Sequence, residues 1–455
     1  MKFDAIIIGT GQAGTPLAAS LAENGQKVAI IEKGDFGGTC VNTGCTPTKA
    51  YVASARRAFI TKNSQEHGVT IDGEVKVNLR AIKRRKDQLV QKSSEGIKKM
   101  LEDNKNIQVF RGEAKFKDDH TVTVDNNTLQ GEKIYINTGS RPNIPAPYKN
   151  LNYYTNKTML ELEEIPEHLV VIGGGYVGLE FAQMFRRFGS KVSILDRGDR
   201  LMKQEDADVS EAILQILKDE DIQVYLNSED IKGSQGQNSV NFSFNVNGAE
   251  KNINGSHLLL ATGRVPNTAN IGLENTSVDL DKKGYIKVNE ELQTSVPHIY
   301  ALGDCNGEGA FTHTSYNDFE IVESNLLQHK KRSLLERIPC YAAFIDPPLA
   351  RVGMNEAEIK EKGIKAKLAS RPMGKVARAQ EMGETSGMMK IYIEAETDKI
   401  LGATFLGTGA DEVIHAVIDA MYAGTPYTTI RDAVHIHPTV SELIPTMLET
   451  PEDLE

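Results

Sequence analysis

The sequence predicts an α/β protein that contains the same strand–turn–helix–strand unit twice. The first unit has an apolar strand over residues 3–8, the glycine turn GTGQAG, a helix over 16–24 and a strand that ends at an acidic residue. The second has a strand over 169–172, the turn GGGYVG, a helix and a strand that ends in the same way. One interval of 164 residues separates the matching positions, which are Gly9 and Gly173, Gly11 and Gly175, Gly14 and Gly178, Glu32 and Asp196. Four matches at one interval indicate a duplication.

Each residue type in this unit suits the binding of a dinucleotide. The first glycine permits a tight turn, the second lets the backbone approach a pyrophosphate, and the third lets the helix pack on the strand. The helix N-terminus presents N–H groups and a partial positive charge to that pyrophosphate. The acidic residue can accept hydrogen bonds from a ribose diol. Two further buried strands, 134–136 and 258–260, both lead into Thr-Gly, so we expect two Rossmann-like domains and two bound dinucleotides.

Two cysteines follow the first unit in the segment GGTCVNTGCTPTK. Cys40 and Cys45 are about one helical turn apart, and a disulfide closing so small a loop adds little stability, so its value would be chemical. Pro47 suits the first turn of a helix over 48–60, which places Cys45 near a helix N-terminus with Lys49 one turn further on. Both features favour a thiolate. A zinc site would need two more ligands close by, so we predict no metal site.

Composition limits the partners of this protein. The 455 residues include 52 Lys and Arg against 62 Asp and Glu, and a net charge of −10 argues against nucleic-acid binding. No uncharged apolar run approaches the ~18 residues that cross a bilayer, so we expect no membrane association. Cys305 and Cys340 are isolated and are predicted to be ordinary free thiols. Without a disulfide framework or a targeting segment, a reducing, cytoplasmic location is expected.

Five segments in order resemble the flavin-dependent pyridine nucleotide-disulfide oxidoreductases of the glutathione reductase and dihydrolipoamide dehydrogenase type. They are GTGQAG with Glu32, GGTCVNTGCTPTK, GGGYVGLE, IYALGD at 299–304 and HPTVSE at 437–442. The resemblance covers essentially the whole chain. It implies an enzyme that transfers electrons from NAD(P)H through FAD to a redox-active disulfide and on to an acceptor.

The resemblance also implies roles for individual residues. Cys45 is similar to the thiol that lies against the flavin and forms a charge-transfer complex, and Cys40 to the interchange thiol that attacks the substrate. Lys49 and Glu180 match a pair beside the flavin, and Tyr176 matches a ring that covers the empty nicotinamide pocket. His437, oriented by Glu442, resembles the acid–base histidine that completes the partner subunit's site, which implies a homodimer. An imidazole can act as both acid and base in thiol exchange.

The same resemblance assigns two sets of cofactor residues. For FAD they are Gly9, Gly11, Gln12, Ala13, Gly14, Glu32, Lys33, Gly38, Thr39, Lys49, Ala114, Thr138, Gly139, Asp304, Phe311 and Thr312. For NAD(P) they are Gly173, Gly175, Tyr176, Val177, Gly178, Asp196, Arg197 and Gly263. Asp196 would repel a 2′-phosphate, so NADH is slightly favoured. The basic residues Arg197 and Lys203 leave NADPH open.

Three further segments bear on the identity of the electron acceptor. TPTK, AFTHTSY and VSELIPTML are most similar to the mercuric-reductase-like branch, which includes reductases of hypothiocyanous acid. No cysteine follows Cys340, whereas mercuric reductase ends in a cysteine pair that hands on the metal, so we expect a small disulfide or reactive sulfur oxidant instead. Alternatives are a metal-ion or quinone reductase or NAD(P)H oxidase that uses the flavin directly, a dihydrolipoamide dehydrogenase or glutathione reductase, and a binding flavoprotein without activity.

The predicted domain layout follows the order of these segments. Residues 1–145 and 269–337 form the FAD domain, residues 146–268 the NAD(P) domain, and residues 338–455 a C-terminal α+β dimerisation domain. Residues 76–103 are expected to form a charged amphipathic helix with a solvated face.

Overall fold

Residues 1–454 are described in a computed structural model, and they form five β-sheets surrounded by helices. The strands are β1 (Lys2–Ile8), β2 (Val28–Glu32), β3 (Ile107–Arg111), β4 (Ala114–Asp118), β5 (Thr121–Val124), β6 (Asn127–Ile136), β7 (Ser140–Pro142), β8 (His168–Ile172), β9 (Lys191–Leu195), β10 (Gln223–Tyr225), β11 (Ser228–Gln235), β12 (Val240–Val246), β13 (Ala249–Gly255), β14 (His257–Leu260), β15 (Arg264–Pro266), β16 (Ile299–Ala301), β17 (Cys340–Ala343), β18 (Leu349–Gly353), β19 (Ala366–Pro372), β20 (Met388–Glu394), β21 (Ile400–Leu406) and β22 (Glu452–Asp453). The α-helices are α1 (Gly14–Glu23), α2 (Gly38–Asn42), α3 (Cys45–Lys62), α4 (Leu79–Glu102), α5 (Asn156–Met159), α6 (Tyr176–Phe188), α7 (Ala207–Asp219), α8 (Thr312–Leu327), α9 (Glu356–Glu361), α10 (Ala377–Glu381), α11 (Ala410–Val413), α12 (His415–Tyr422), α13 (Thr428–Arg431) and α14 (Ile444–Met447).

The first nucleotide-binding unit is built on a seven-stranded sheet in the order β3-β2-β1-β6-β5-β4, with β16 also paired to β6. Strands β1, β2, β3, β6 and β16 pair in parallel, and β1 is almost entirely buried. Continuous apolar runs such as KFDAIII are typical of parallel strands that are covered on both faces. The carboxyl ends of these strands meet at one edge, where α/β proteins bind their ligands.

The second unit repeats this arrangement in a four-stranded parallel sheet, β10-β9-β8-β14. Gly9 has a φ of +106° and Gly173 one of +118°, in the left-handed region that favours glycine. A Cβ at Gly9 would lie 2.3 Å from the carbonyl oxygen of Asn137, and one at Gly173 would lie 2.4 Å from that of Ala261. The two turns therefore need glycine for the same reason, which confirms the predicted pair of Rossmann-like folds.

The C-terminal part of the chain forms a six-stranded sheet, β17-β18-β21-β20-β19-β22, with helices α9 to α14. All of its strand pairs are antiparallel, which fits the predicted α+β class. A two-stranded ribbon of β7 and β15 lies between the two nucleotide-binding sheets, and β11 to β13 form a separate antiparallel sheet. The domain boundaries at residues 145, 268 and 337 stay predictions.

Helix α4 lies within the segment that was expected to form a charged amphipathic helix. Most of its residues are exposed or half-buried, whereas Leu79, Lys86 and Leu101 are buried. The Lys86 ammonium is 2.7 Å from Glu161, which compensates its burial with an opposite charge. The helix is therefore anchored at three points along its length. Among residues 1–454, no helix has both the length and the apolar character needed to cross a bilayer.

Candidate active site

A cavity of about 930 Å³ opens at the carboxyl ends of the first parallel sheet. Its wall includes most of the residues that the sequence assigned to FAD and to the sulfur chemistry. The predicted residues on it are Gly9, Gly11, Gln12, Glu32, Lys33, Gly38, Thr39, Cys40, Cys45, Lys49, Ala114, Thr138, Gly139, Tyr176, Val177, Glu180, Asp304, Phe311 and Thr312. Ala13 and Gly14 are buried in the first turn of α1 and do not line the cavity.

The acidic residue of each nucleotide unit is held by the same backbone contacts. Glu32 accepts hydrogen bonds from the N–H of Thr10 at 2.9 Å and from that of Gly34 at 2.7 Å. Asp196 accepts the matching bonds from Gly174 at 2.5 Å and Gly198 at 2.6 Å. Each carboxylate thus holds the glycine turn against the loop after the second strand. The duplication extends from sequence to hydrogen bonding.

The cysteine pair lies where two short segments meet. Cys40 is in α2 and Cys45 is the first residue of α3, and both are free thiols whose side chains share a hydrogen bond. That bond from Cys40 is the main cause that lowers the pKa of Cys45 from 9.0 to about 6. The Thr312 hydroxyl, 3.2 Å from the Cys45 sulfur, and the Lys49 ammonium act in the same direction, whereas burial opposes them. The pKa of Cys40 is raised in turn, because its proton is held by Cys45.

Lys49 forms an ion pair with Glu180 beside the cysteines. The Lys49 ammonium donates to both carboxylate oxygens at 2.8 and 3.0 Å, and it lies 4.7 Å from the centre of the Phe344 ring. Glu180 also accepts a hydrogen bond from the Phe344 N–H at 2.8 Å. One carboxylate therefore joins α3, α6 and the C-terminal domain, and it fixes the cation one turn from Cys45.

Aromatic rings form a second wall of the cavity. Tyr176 is the first residue of α6, and its ring lies 5.7 Å from that of Phe311. Burial raises the pKa of Tyr176 to about 12, so its hydroxyl stays protonated at neutral pH. The ring of Tyr341 also stacks with that of Phe311, at an interplanar angle of 4°.

Several predicted residues lie outside this cavity. Most residues that were predicted to bind NAD(P) lie around the second glycine turn and not on the cavity wall. They are Gly173, Gly175, Gly178, Asp196, Arg197 and Gly263. His437 and Glu442 are also outside: the His437 Nδ1 is 2.8 Å from the Glu442 carboxylate, and the His437 side chain is 76% exposed. A histidine held in this way presents its other ring nitrogen to the surroundings.

Sequence reasoning missed two parts of the site. The Asn137 side chain accepts from the Gly14 N–H at 3.0 Å and donates to the Leu302 carbonyl at 2.8 Å, which joins the first turn to β6 and to the segment after β16. Its place between a buried strand and Thr-Gly was a usable signal. Tyr341 and its partner Glu205 carried no such signal, because nothing in the sequence brings them together.

A duplicated nucleotide fold that shares a cavity with a cysteine pair defines a dinucleotide-dependent thiol–disulfide oxidoreductase. Residues 3–318 match the family model described as pyridine nucleotide-disulphide oxidoreductase, and residues 340–448 match the dimerisation domain of that family. The chain belongs to this family. The family uses FAD and a pyridine nucleotide, and the dimerisation domain indicates a homodimer.

Individual relatives agree with this assignment. The chain is 37% identical to the probable pyridine nucleotide-disulfide oxidoreductase RclA of Escherichia coli strain K12, with 97% of each chain covered. It is 35% identical to mercuric reductase of Staphylococcus aureus, with 97% of this chain and 81% of that protein covered. A solved structure of the Cu(II) complex of the HOCl-induced flavoprotein disulfide reductase RclA from Escherichia coli matches with a TM-score of 0.89 at 34% identity, covering 98% of this chain and 99% of that chain. The chain is therefore an oxidoreductase that acts on sulfur.

Proposed function

We propose that this protein passes two electrons from NAD(P)H through FAD to the pair Cys40 and Cys45, and from there to a small disulfide or a reactive sulfur oxidant such as hypothiocyanous acid. The observation that carries the proposal is that Cys40 and Cys45 lie together on the wall of the cavity that also contains the first glycine turn, and the lowered pKa of Cys45 agrees with it. When bound, FAD supplies the two-electron transfer between the nicotinamide and the sulfur pair.

The residues on the cavity wall suit this cofactor. Glu32 would bind the ribose diol, the turn over residues 9–14 would hold the pyrophosphate, and Asp304 would bind the ribityl chain. The chemistry of the lining supports this fit, since the carboxylates of Glu32 and Asp304 on the cavity wall can accept hydrogen bonds from ribose and ribityl hydroxyls. Spectra and FAD content of the purified protein test the assignment.

Asp196 supports a modest preference for NADH over NADPH. Its carboxylate stands where a ribose diol would bind and would repel a 2′-phosphate. The exposed side chain of Arg197 follows it, and Lys203 packs against Gly198, so positive charge is also near. Steady-state kcat/KM for both coenzymes tests the preference, and a higher value for NADPH would contradict it.

The sulfur chemistry assigns different tasks to the two cysteines. The Cys40 thiolate would attack the electrophilic sulfur of the acceptor, forming a new S–S bond while the leaving group departs with the bonding electron pair. The Cys45 thiolate would then attack the Cys40 sulfur, which forms the internal disulfide and releases the reduced sulfur product. Two electrons have then left the enzyme, and NAD(P)H restores the dithiol.

A base is needed for the first attack, because Cys40 retains its proton next to the Cys45 thiolate. We propose that His437 of one subunit, oriented by Glu442, serves the cavity of the other, since in its own chain it lies outside that cavity. Co-expression of Cys40→Ser and His437→Ala chains tests this. Random pairing in a symmetric dimer should restore roughly a quarter of the sites if His437 acts across the interface. No restored activity would show that it acts within its own chain.

The electron acceptor is proposed from the similarity to relatives. The similarity to RclA, described as HOCl-induced and as a disulfide reductase, favours an oxidant or a disulfide. A reducing, cytoplasmic location suits a dithiol that must be regenerated. Stopped-flow oxidation of NADH and NADPH should be compared with hypothiocyanous acid, oxidised glutathione, lipoamide, coenzyme A disulfide, mercuric ion and cupric ion. If activity with metal ions or quinones survives loss of both Cys40 and His437, the flavin acts directly and the sulfur route is wrong.

A further inference from the structure

A buried acidic residue outside the proposed electron route contacts the wall of the cavity. The Glu205 side chain is fully buried, and its Oε2 has no hydrogen-bond partner among residues 1–454. Its Oε1 accepts a hydrogen bond from the Tyr341 hydroxyl and lies 3.5 Å from the Arg351 guanidinium. Burial raises the pKa of Glu205, with Asp206 adding to the effect and Arg351 opposing it. A buried carboxyl is costly unless it is paired, and the contacts with Tyr341 and Arg351 offset part of that cost.

That partner, Tyr341, belongs to a stack of three rings on the cavity wall. The Tyr341 and Phe311 rings are 5.4 Å apart at an interplanar angle of 4°, and those of Phe311 and His313 are 5.4 Å apart at 7°. His313 is fixed at its far side, since its Nε2 lies 2.7 Å from the Cys340 carbonyl oxygen. The two rings that stack with Phe311 are therefore both anchored by hydrogen bonds.

Phe311 in turn determines where α8 begins. Its N–H donates to the Thr314 hydroxyl at 3.0 Å, and that hydroxyl donates to the Phe311 carbonyl at 2.7 Å. The next residue, Thr312, is the first of the helix, and its hydroxyl lies 3.2 Å from the Cys45 sulfur. Because Phe311 and Thr312 are consecutive, a shift of the Phe311 backbone would move the Thr312 hydroxyl relative to Cys45.

We propose that Tyr341, anchored by Glu205, is a positioning residue for the redox thiols: through the Phe311 stack it holds the Thr312 hydroxyl against the Cys45 sulfur and so sets the reactivity of that thiol. This rests on the proposed function only in taking Cys45 as the reactive thiolate. The other groups that face Cys45 are Cys40, Lys49, Glu180 and Tyr176, and the Tyr176 ring lies 5.7 Å from that of Phe311.

The test follows the pH dependence of iodoacetamide labelling at Cys45 in the reduced holoenzyme, with fragment-ion spectra assigning the label. Tyr341→Leu removes the ring and Thr312→Val removes the hydroxyl. Loss of one hydrogen bond to a charged sulfur should raise the pKa of Cys45 by about one unit. The ionised fraction of Cys45 at pH 6 would then fall from about a half to about a tenth, or about five-fold. We expect a fall of this order in both single variants, and no further fall in the double variant, because both act through one contact.

Controls separate this effect from general damage. Tyr316→Leu makes the same change on an exposed residue of α8 and should leave the labelling profile unchanged. If Tyr341→Leu does not fold, Tyr341→Phe retains the ring but loses the bond to Glu205 and should give a smaller fall in the same direction. Unchanged labelling in every folded variant at Tyr341, or full additivity with Thr312→Val, would overturn the inference. A parent Cys45 that titrates near 9 would instead contradict the proposed function.

Discussion

The hydrogen bond between the two cysteines allows one substitution to be worked out in detail. Cys40→Ala removes the donor that is the main cause of the lowered pKa of Cys45. A hydrogen bond to a charged group contributes about 1.5–3 kcal/mol, which corresponds to about 1–2 pKa units. The pKa of Cys45 should therefore rise from about 6 to between about 7 and 8.

The consequence is largest near neutral pH. At pH 7 the ionised fraction of Cys45 should fall from about 90% to between about 10% and 50%. The pH profile of iodoacetamide labelling at Cys45 measures this fraction directly. Cys40→Ser is the matched control, because its hydroxyl can still donate and should keep the midpoint close to that of the reduced parent. If the alanine and serine variants both titrate near 6, Cys40 does not stabilise the thiolate, and the role given to the pair is wrong.

Three other perturbations test separate parts of the site. Cys40→Ser should abolish turnover with the acceptor, although NAD(P)H should still bleach the flavin. Cys45→Ser should abolish turnover as well and should also remove the long-wavelength absorption band. Full turnover in Cys40→Ser would contradict the proposed electron transfer through the cysteine pair. Lys49→Met leaves the buried Glu180 carboxylate without its cation and should lower the free energy of unfolding, measured in urea, by about 3 kcal/mol. Adding Glu180→Gln should recover most of that loss. A loss below about 0.5 kcal/mol would show that the ion pair is as weak as one on the surface. Burial raises the pKa of Glu205 above its ordinary value of 4.5, so the parent loses stability as the pH rises above that value. The free energy of unfolding of Glu205→Gln relative to the parent, measured in urea, should therefore increase as the pH is raised from 4.5, and a constant difference would contradict the raised pKa.

Sequence patterns predicted the nucleotide folds well because their determinants are local. A glycine turn needs a left-handed φ at its first position, and the strand, helix and acid that accompany it lie within a few tens of residues. Cys45 at the start of a helix followed from Pro47 in the same way. In each case the physical constraint acts along the chain, so the order of residue types carries it.

Contacts between distant segments were decided only by tertiary packing. Thr312 reaches Cys45 across 267 residues, and Lys49 pairs with Glu180 across 131, and no periodicity encodes those distances. The family resemblance suggested the second pair, but the stack of Tyr341 on Phe311 and the burial of Glu205 and Lys86 had no counterpart in any pattern. Which polar groups are buried depends on how segments distant in the sequence pack together. The electrostatics of the thiols follow from that packing rather than from the order of residues around them.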